Sequence, residues 1–186
     1  MQNIAIFSSG KGTNAENICN HFFSSKKFKV VVICSNNKKA LVLKRAAKLK
    51  IETLLFTKNS LENSFLVEES LKKLAVDIIV LAGFLLKVPD SLVNLYKNKI
   101  INIHPSLLPK YGGKGMYGIN VHREVVKNGE KESGITIHLV NEVYDNGKVV
   151  FQKNIPVSEN ETPEGLLEKI QKLEYLYYPK IIETTF

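Results

Sequence analysis

Short apolar runs alternate with amphipathic, helix-like stretches through most of this chain, and that alternation restricts it to few folds. The runs Asn3–Phe7, Phe28–Cys34, Asp77–Leu81 and Lys99–Ile103 are rich in Ile, Val and Leu, as in strands buried on both faces. Helical periodicity starts at about Thr13 and about Lys39 and returns near Leu61–Leu74 and Pro89–Tyr96, with a short strand near Thr53–Phe56. Such repetition predicts an α/β fold with a doubly wound, mostly parallel, Rossmann-like sheet. After Ile103 come a short helix near Asn120–Lys127, strands Gly134–Val140 and Lys148–Val157, and a closing helix from Thr162. The last two strands predict an antiparallel C-terminal extension. At 186 residues, without an internal repeat or a linker-like tract, the chain reads as one domain.

Charge and composition narrow the function. The net charge is +8, which invites a polyanion as partner. Yet every basic residue except Arg45 and Arg123 is a lysine, scattered along the chain without arginine–aromatic interleaving, so nucleic acid is not expected. The charge instead suits steering of small anionic substrates. The longest apolar run, Ile78–Leu86, falls far short of the roughly 20 residues a membrane helix needs, and Met1-Gln2-Asn3 is not a basic signal-peptide start. A cytoplasmic protein is expected. Cys19 and Cys34 show neither metal-ligand nor disulfide spacing and read as reduced core thiols.

The first strand runs into "SSGKGTNAEN", where Gly10 and Gly12 precede a helix that Thr13-x-x-Glu16 would open as a capping box. Backbone amides and a helix N-terminus at a strand's end form an anion site, although a tight turn that binds nothing has the same signature. Gly10, Gly12 and Ala15 also satisfy the dinucleotide pattern Gly-x-Gly-x-x-Ala. The acidic ribose partner of NAD is missing, because the second strand ends in Ser35-Asn36-Asn37; NADP, through Lys38 or Lys39, stays open. A Walker A loop fails, since Gly12 follows Lys11.

In "IINIHPSLLPKYGGKGMYG" a polar pair interrupts a buried strand. Asn102 and His104 lie two apart, so they project to one face, and Pro105 ends the strand there. Carboxyl ends of strands in open α/β sheets are where ligands bind, though Asn, His, Pro and Ser are also ordinary turn residues. Asp145 sits in the turn-like "NEVYDNGKVV", in a connection longer than a tight hairpin requires. His138 alternates with Ile137 and Leu139, which points to a supporting or surface position. His21 reads as helix surface and His122 as part of the helix after the loop; no pair of histidines has metal-ligand spacing. Glu174 falls on the apolar stripe of Leu167, Ile170 and Tyr177, where a carboxylate needs a partner in water, a lysine or a substrate.

Taken together, "SGKGTN", "VICSN", "LAGFLLKV", "INIHPSLLPKYGGKGMYG", "GITIHLV", the Asp145 loop and "LEYLYYP" resemble the folate-dependent phosphoribosylglycinamide formyltransferases of purine synthesis. The resemblance covers nearly the whole chain, and the long central motif is its specific part. It implies transfer of the formyl group of 10-formyltetrahydrofolate to the amine of phosphoribosylglycinamide, with no metal. It implies a phosphate-binding half of about residues 1–100 and a catalytic, folate-contacting half of about 101–186. Asn102, His104 and Asp145 would be catalytic, with His138 behind them; a protonated His104 would help Asn102 stabilise an oxyanion. Gly12, Thr13, Asn14 and Glu174 would bind the ribonucleotide, and Leu85, Leu86, Lys87 and Val88, with Asn102, the folate. Leu86 stands where an arginine is common, and no arginine precedes the helix near Leu61, so polar folate contacts differ here. Expected partners are these small molecules, not nucleic acid or membrane, with a monomer or homodimer as the assembly. Three rivals remain at this point: an NADP-dependent reductase, a non-catalytic nucleotide-binding module, and a formyltransferase for aminoacyl-tRNA or a sugar nucleotide.

Overall fold

β1 (Gln2–Phe7) is the strand around which the first half is built: Ile4, Ala5, Ile6 and Phe7 are fully buried, as both faces of a parallel strand are covered. Each such isoleucine contributes about 2 kcal/mol by burial. The computed structural model describes Met1–Phe186, which form two compact units, Met1–Ile101 and Asn102–Phe186. Seven strands form the sheet in the order β3-β2-β1-β4-β5-β6-β7.

In the first unit, β2 (Phe28–Ser35) and β4 (Ile78–Leu81) flank β1, and β3 (Glu52–Leu55) pairs with β2, all parallel. Helices α1 (Thr13–Phe22), α2 (Leu41–Leu49), α3 (Lys58–Glu62), α4 (Phe65–Lys73) and α5 (Asp90–Leu95) connect them. Phe7, Phe56 and Phe84 cluster at the carboxyl ends of these strands, with ring centroids 5.3–6.0 Å apart. β5 (Ile100–His104) carries the chain across the boundary. In the second unit, α6 (Ile119–Lys127) leads to β6 (Glu132–Leu139), which pairs antiparallel with β7 (Val149–Pro156), and α7 (Pro163–Thr185) closes the chain. No helix is long and apolar enough to cross a membrane.

Two local expectations fail for identifiable reasons. The helix expected over Leu61–Leu74 is broken: Thr57 and Ser60 form a capping box that starts α3 early, and Ser64, at φ 28°, interrupts the helical path. The Ser64 hydroxyl lies 2.6 Å from that of Ser91 and bonds Glu68, so tertiary contact holds the break. Nor does Thr13 cap α1. Gly12 is the N-cap, in the left-handed region at φ 71°, without a side-chain cap bond, and Glu16 pairs with Arg45.

Gly12 has a second reason to be glycine. A Cβ there would lie 2.3 Å from Val42 Cγ2 and 2.8 Å from Val42 Cα, where α2 packs against the loop, whereas a Cβ at Gly10 would meet nothing within 4 Å. A side chain at Gly12 therefore strikes the protein itself before any ligand. Gly12→Ala should destabilise the fold by about 2 kcal/mol or more through strain and overpacking, with Gly10→Ala near neutral. Urea unfolding of both variants checks this; equal stabilities would show that the loop yields freely.

Candidate active site

On β5, Ile101 and Ile103 are buried on one face, while Asn102 and His104 follow the buried Ile100 on the other. β6 answers with a face of its own: Gly134, Thr136 and His138, again two apart. A Cβ on Gly134 would meet Lys153 O at 2.0 Å and Leu107 Cδ2 at 2.7 Å, so glycine admits the Leu107 side chain. Thr136 Oγ1 accepts the Leu108 N–H (2.9 Å) and donates to Ser106 O (2.7 Å), pinning the segment after Pro105. Asn102 Nδ2 lies 3.1 Å from His138 Nε2, and His138 Nδ1 is 3.0 Å from Leu139 O. Asn102 Nδ2 carries two N–H groups, and this contact engages one of them and leaves the second available.

Asp145 reaches this cluster from the β6–β7 connection. Asn141 ties the connection together by donating to Asn146 O (3.1 Å) and accepting from Val143 N (3.0 Å), and Asp145 itself sits at φ 51°. Gly147 is obligatory, because a Cβ there would lie 1.6 Å from Leu139 O. Asp145 Oδ2 accepts the Gly113 N–H at 2.8 Å and faces His104 Nδ1 at 3.6 Å, while Oδ1 faces His138 Nε2 at 3.6 Å. On the far side of His104, Nε2 donates to Tyr111 O at 2.7 Å. Asn102, His104, Asp145 and His138 are thus brought together, and the second unit supplies all four.

Electrostatics corrects one expectation. Burial lowers the His104 pKa, the Asp145 carboxylate and the Tyr111 carbonyl raise it, and His138 lowers it further; the net direction is down. The resting ring is therefore neutral at neutral pH, with its proton on Nε2 and its lone pair on Nδ1, and not the imidazolium expected from the carboxylate alone. For Asp145, burial pushes the carboxyl up, but His138, His104 and the Gly113 N–H outweigh it and hold it below its ordinary value. Beneath the cluster, His122 on α6 is buried with no partner for Nδ1, and burial, then His104, lower its pKa to about 4.

The other expected residues occupy three places. Gly12, Thr13 and Asn14 form the start of α1, in the first unit. Leu85–Val88 follow β4, with the Leu85 N–H bonded to Ser9 Oγ at 3.0 Å, Lys87 paired to Asp90, Leu85 exposed and Val88 buried. Ser9 Oγ also donates to Asn36 Oδ1 at 2.6 Å, so the end of β2 closes on the glycine loop. Glu174 lies on α7 in the register Leu166, Ile170, Tyr178, Ile182, whose other members are buried; Leu167 and Tyr177 are only half-buried, so the stripe sits one residue off the expected one. No group of three or more His, Cys, Asp or Glu is arranged to hold a metal. Residue identity pointed to neither Tyr111 nor Gly113, because both act through backbone atoms; the Gly112-Gly113 pair after Tyr111 was the available signal.

Comparison with known proteins gives the family. The formyl transferase family model matches residues 2–182. The chain belongs to the formyl transferase family. Relatives include the chloroplastic phosphoribosylglycinamide formyltransferase of Arabidopsis thaliana, 38% identical, covering 96% of this chain and 63% of that protein. The chain thus spans less than two thirds of the plant protein's length. It spans 94% of the Bacillus subtilis phosphoribosylglycinamide formyltransferase, which is 35% identical over 98% of this chain. Among solved structures, the phosphoribosylglycinamide formyltransferase of Bacillus halodurans superposes with a TM-score of 0.90 at 30% identity, covering 98% of this chain and 94% of that one.

Two outcomes follow from the charges within the cluster. Asp145→Asn removes a group that raises the His104 pKa, so histidine NMR should show His104 titrating at lower pH; an unmoved titration would sever the two residues electrostatically. Unfolded His122 binds a proton below its ordinary 6.5, the folded ring only below about 4. The unfolded state therefore holds more protons in that window, and stability should fall on acidification through it, by about 3 kcal/mol. Urea unfolding at stepped pH should show a shallower loss in His122→Gln; parallel losses would place the effect elsewhere.

Proposed function

We propose that the protein transfers the formyl group of 10-formyltetrahydrofolate to the amine of 5'-phosphoribosylglycinamide, giving formylglycinamide ribonucleotide and tetrahydrofolate for purine synthesis. The observation that carries this reading is the cluster of one carboxamide, two imidazoles and one carboxylate, in a chain of the formyl transferase family. The names of the Arabidopsis and Bacillus relatives support phosphoribosylglycinamide as the acceptor.

The chemistry needs an oxyanion stabilised and one proton moved. The substrate amine attacks the formyl carbon, forming a C–N bond and a tetrahedral oxyanion, to which the second N–H of Asn102 donates. Neutral His104 takes the amine proton at Nδ1, directly or through water, and becomes an imidazolium between Asp145 and the Tyr111 carbonyl, two acceptors that favour the charge. The same proton passes to the departing folate nitrogen as its bond to the formyl carbon breaks, so atoms and charge balance without a covalent enzyme intermediate. Alignment of the two bound substrates supplies much of the rate, since effective molarities reach about 10⁵ M or more.

In this reading Gly12, Thr13 and Asn14, at the start of the ten-residue helix α1, take the phosphate, and Glu174 takes a donor of the same substrate. Leu85, Leu86, Lys87 and Val88 line the folate, whose pterin edge meets backbone groups and apolar side chains where an arginine is absent. Asn36, at the end of β2, is already bonded to Ser9, which argues against a ribose held there as in a nicotinamide enzyme. The free thiols of Cys19 and Cys34 fit a reducing cytoplasm.

Incubation with phosphoribosylglycinamide and 10-formyltetrahydrofolate, followed by mass spectrometry, should yield the formylated ribonucleotide. Absence of product from folded protein, or a formylated sugar nucleotide or aminoacyl-tRNA in its place, would overturn the reading. Asn102→Ala should lower turnover by about 10²-fold, the usual loss for one oxyanion donor. Turnover within a few-fold of the parent would remove Asn102 from the mechanism.

A further inference from the structure

Oxygen acceptors face both nitrogens of His104, and one of them is a backbone carbonyl in an unusual place. Tyr111, which supplies it, has φ 56°, a left-handed conformation that costs a tyrosine about 1 kcal/mol or more. Something must hold it there. The phenol donates to Glu130 Oε1 at 2.9 Å and accepts from Asn128 Nδ2 at 3.0 Å, and Lys110 reaches the same carboxylate at 3.1 Å. Glu130 is fixed in turn by the end of α6, its N–H donating to Val125 O at 3.2 Å beyond Gly129 at φ 63°. Packing does not do this alone, because a cavity of about 250 Å³ lies against the segment, with Leu107, Tyr111, Val125 and Glu130 in its wall.

We propose that Tyr111 is a positioning residue for formyl transfer: its phenol, anchored by Glu130 and Asn128, holds its backbone carbonyl against His104 Nε2 and so keeps Nδ1 as the reacting nitrogen. The proposal rests on the reading of His104 as the proton-transfer group. Were the carbonyl to swing away, the neutral ring would be free to carry its proton on Nδ1, toward Asp145, and would then present a lone pair on the wrong side. The anchor is thus a tautomer lock that acts over the length of one tyrosine. The groups facing His104 are Asp145 from the β6–β7 connection, His138 from β6 and His122 from α6, and none of them replaces the carbonyl as acceptor at Nε2.

Tyr111→Phe removes the phenol alone, and Glu130→Ala removes its anchor, whereas Glu130→Gln keeps an acceptor for the tyrosine. Turnover should fall about tenfold or more in the first two variants, the scale of a misaligned reacting group, with both KM values little changed, and should be largely retained in Glu130→Gln. In the same two variants ¹⁵N NMR of His104 should show a mixture of tautomers and a titration moved to lower pH, because the carbonyl raises the ring's pKa. A folded Tyr111→Phe or Glu130→Ala protein with the parental His104 tautomer and titration would overturn the proposal, as would a fall in turnover without either change. If Tyr111→Phe does not fold, Glu130→Ala gives the same reading. His104→Ala separates the two levels: parental turnover there refutes the role of His104 itself, while its loss, with His104 unperturbed in the anchor variants, refutes only the lock.

Discussion

The site depends on one carboxylate removed from most of its water. Asp145 is held by the Gly113 N–H and faces two imidazoles, with a backbone dipole and no lysine or arginine as its hydrogen-bond donor. A buried carboxylate without such partners would take up a proton, since desolvation alone costs several kcal/mol. The partners reverse that outcome and keep Asp145 ionised. The same contact joins the β6–β7 connection to the segment after β5, so the group that tunes His104 also fastens two loops to one another. Chemistry and loop geometry share a single interaction.

Strand periodicity explains how so few residues achieve this. On β6 one face carries Gly134, Thr136 and His138, and each performs a different task for the neighbouring segment: Gly134 admits Leu107, Thr136 bonds Ser106 and Leu108, and His138 bonds Asn102. A slip of one residue would put Ile135 and Ile137 in their places and leave the segment's backbone groups without partners. Both isoleucines are fully buried on the opposite side, which makes the slip costly from both directions.

The charge state of His104 is a balance of opposed effects. Burial favours the neutral ring, while Asp145 and Tyr111 favour the imidazolium, and in the resting protein burial prevails. A neutral ring that meets two acceptors on protonation is suited to receive a proton and release it again. A ring already charged would be able to donate to an oxyanion but unable to act as base.

Much of this was readable from the residues alone. The α/β class followed from alternating apolar runs and helical stretches, since burial of parallel strands demands continuous Ile, Val and Leu. The pairing of Asn102 with His104 followed from their two-residue spacing, and the glycine loop from Gly10 and Gly12. What the sequence left open were quantities that depend on neighbours distant in the chain. Thr13 and Glu16 have the spacing of a cap, but Arg45 offers Glu16 a stronger partner, so Gly12 caps α1. Residues Leu61–Leu74 carry one helical pattern, but Ser64 bonds Ser91 and breaks it. Asp145 beside a histidine suggests an imidazolium, but burial, which no local pattern records, lowers the pKa instead. Tyr111 and Gly113 act through a carbonyl and an N–H that every residue possesses. Local propensity and periodicity are properties of the chain; desolvation, long-range pairing and the use made of backbone atoms arise only when distant segments meet.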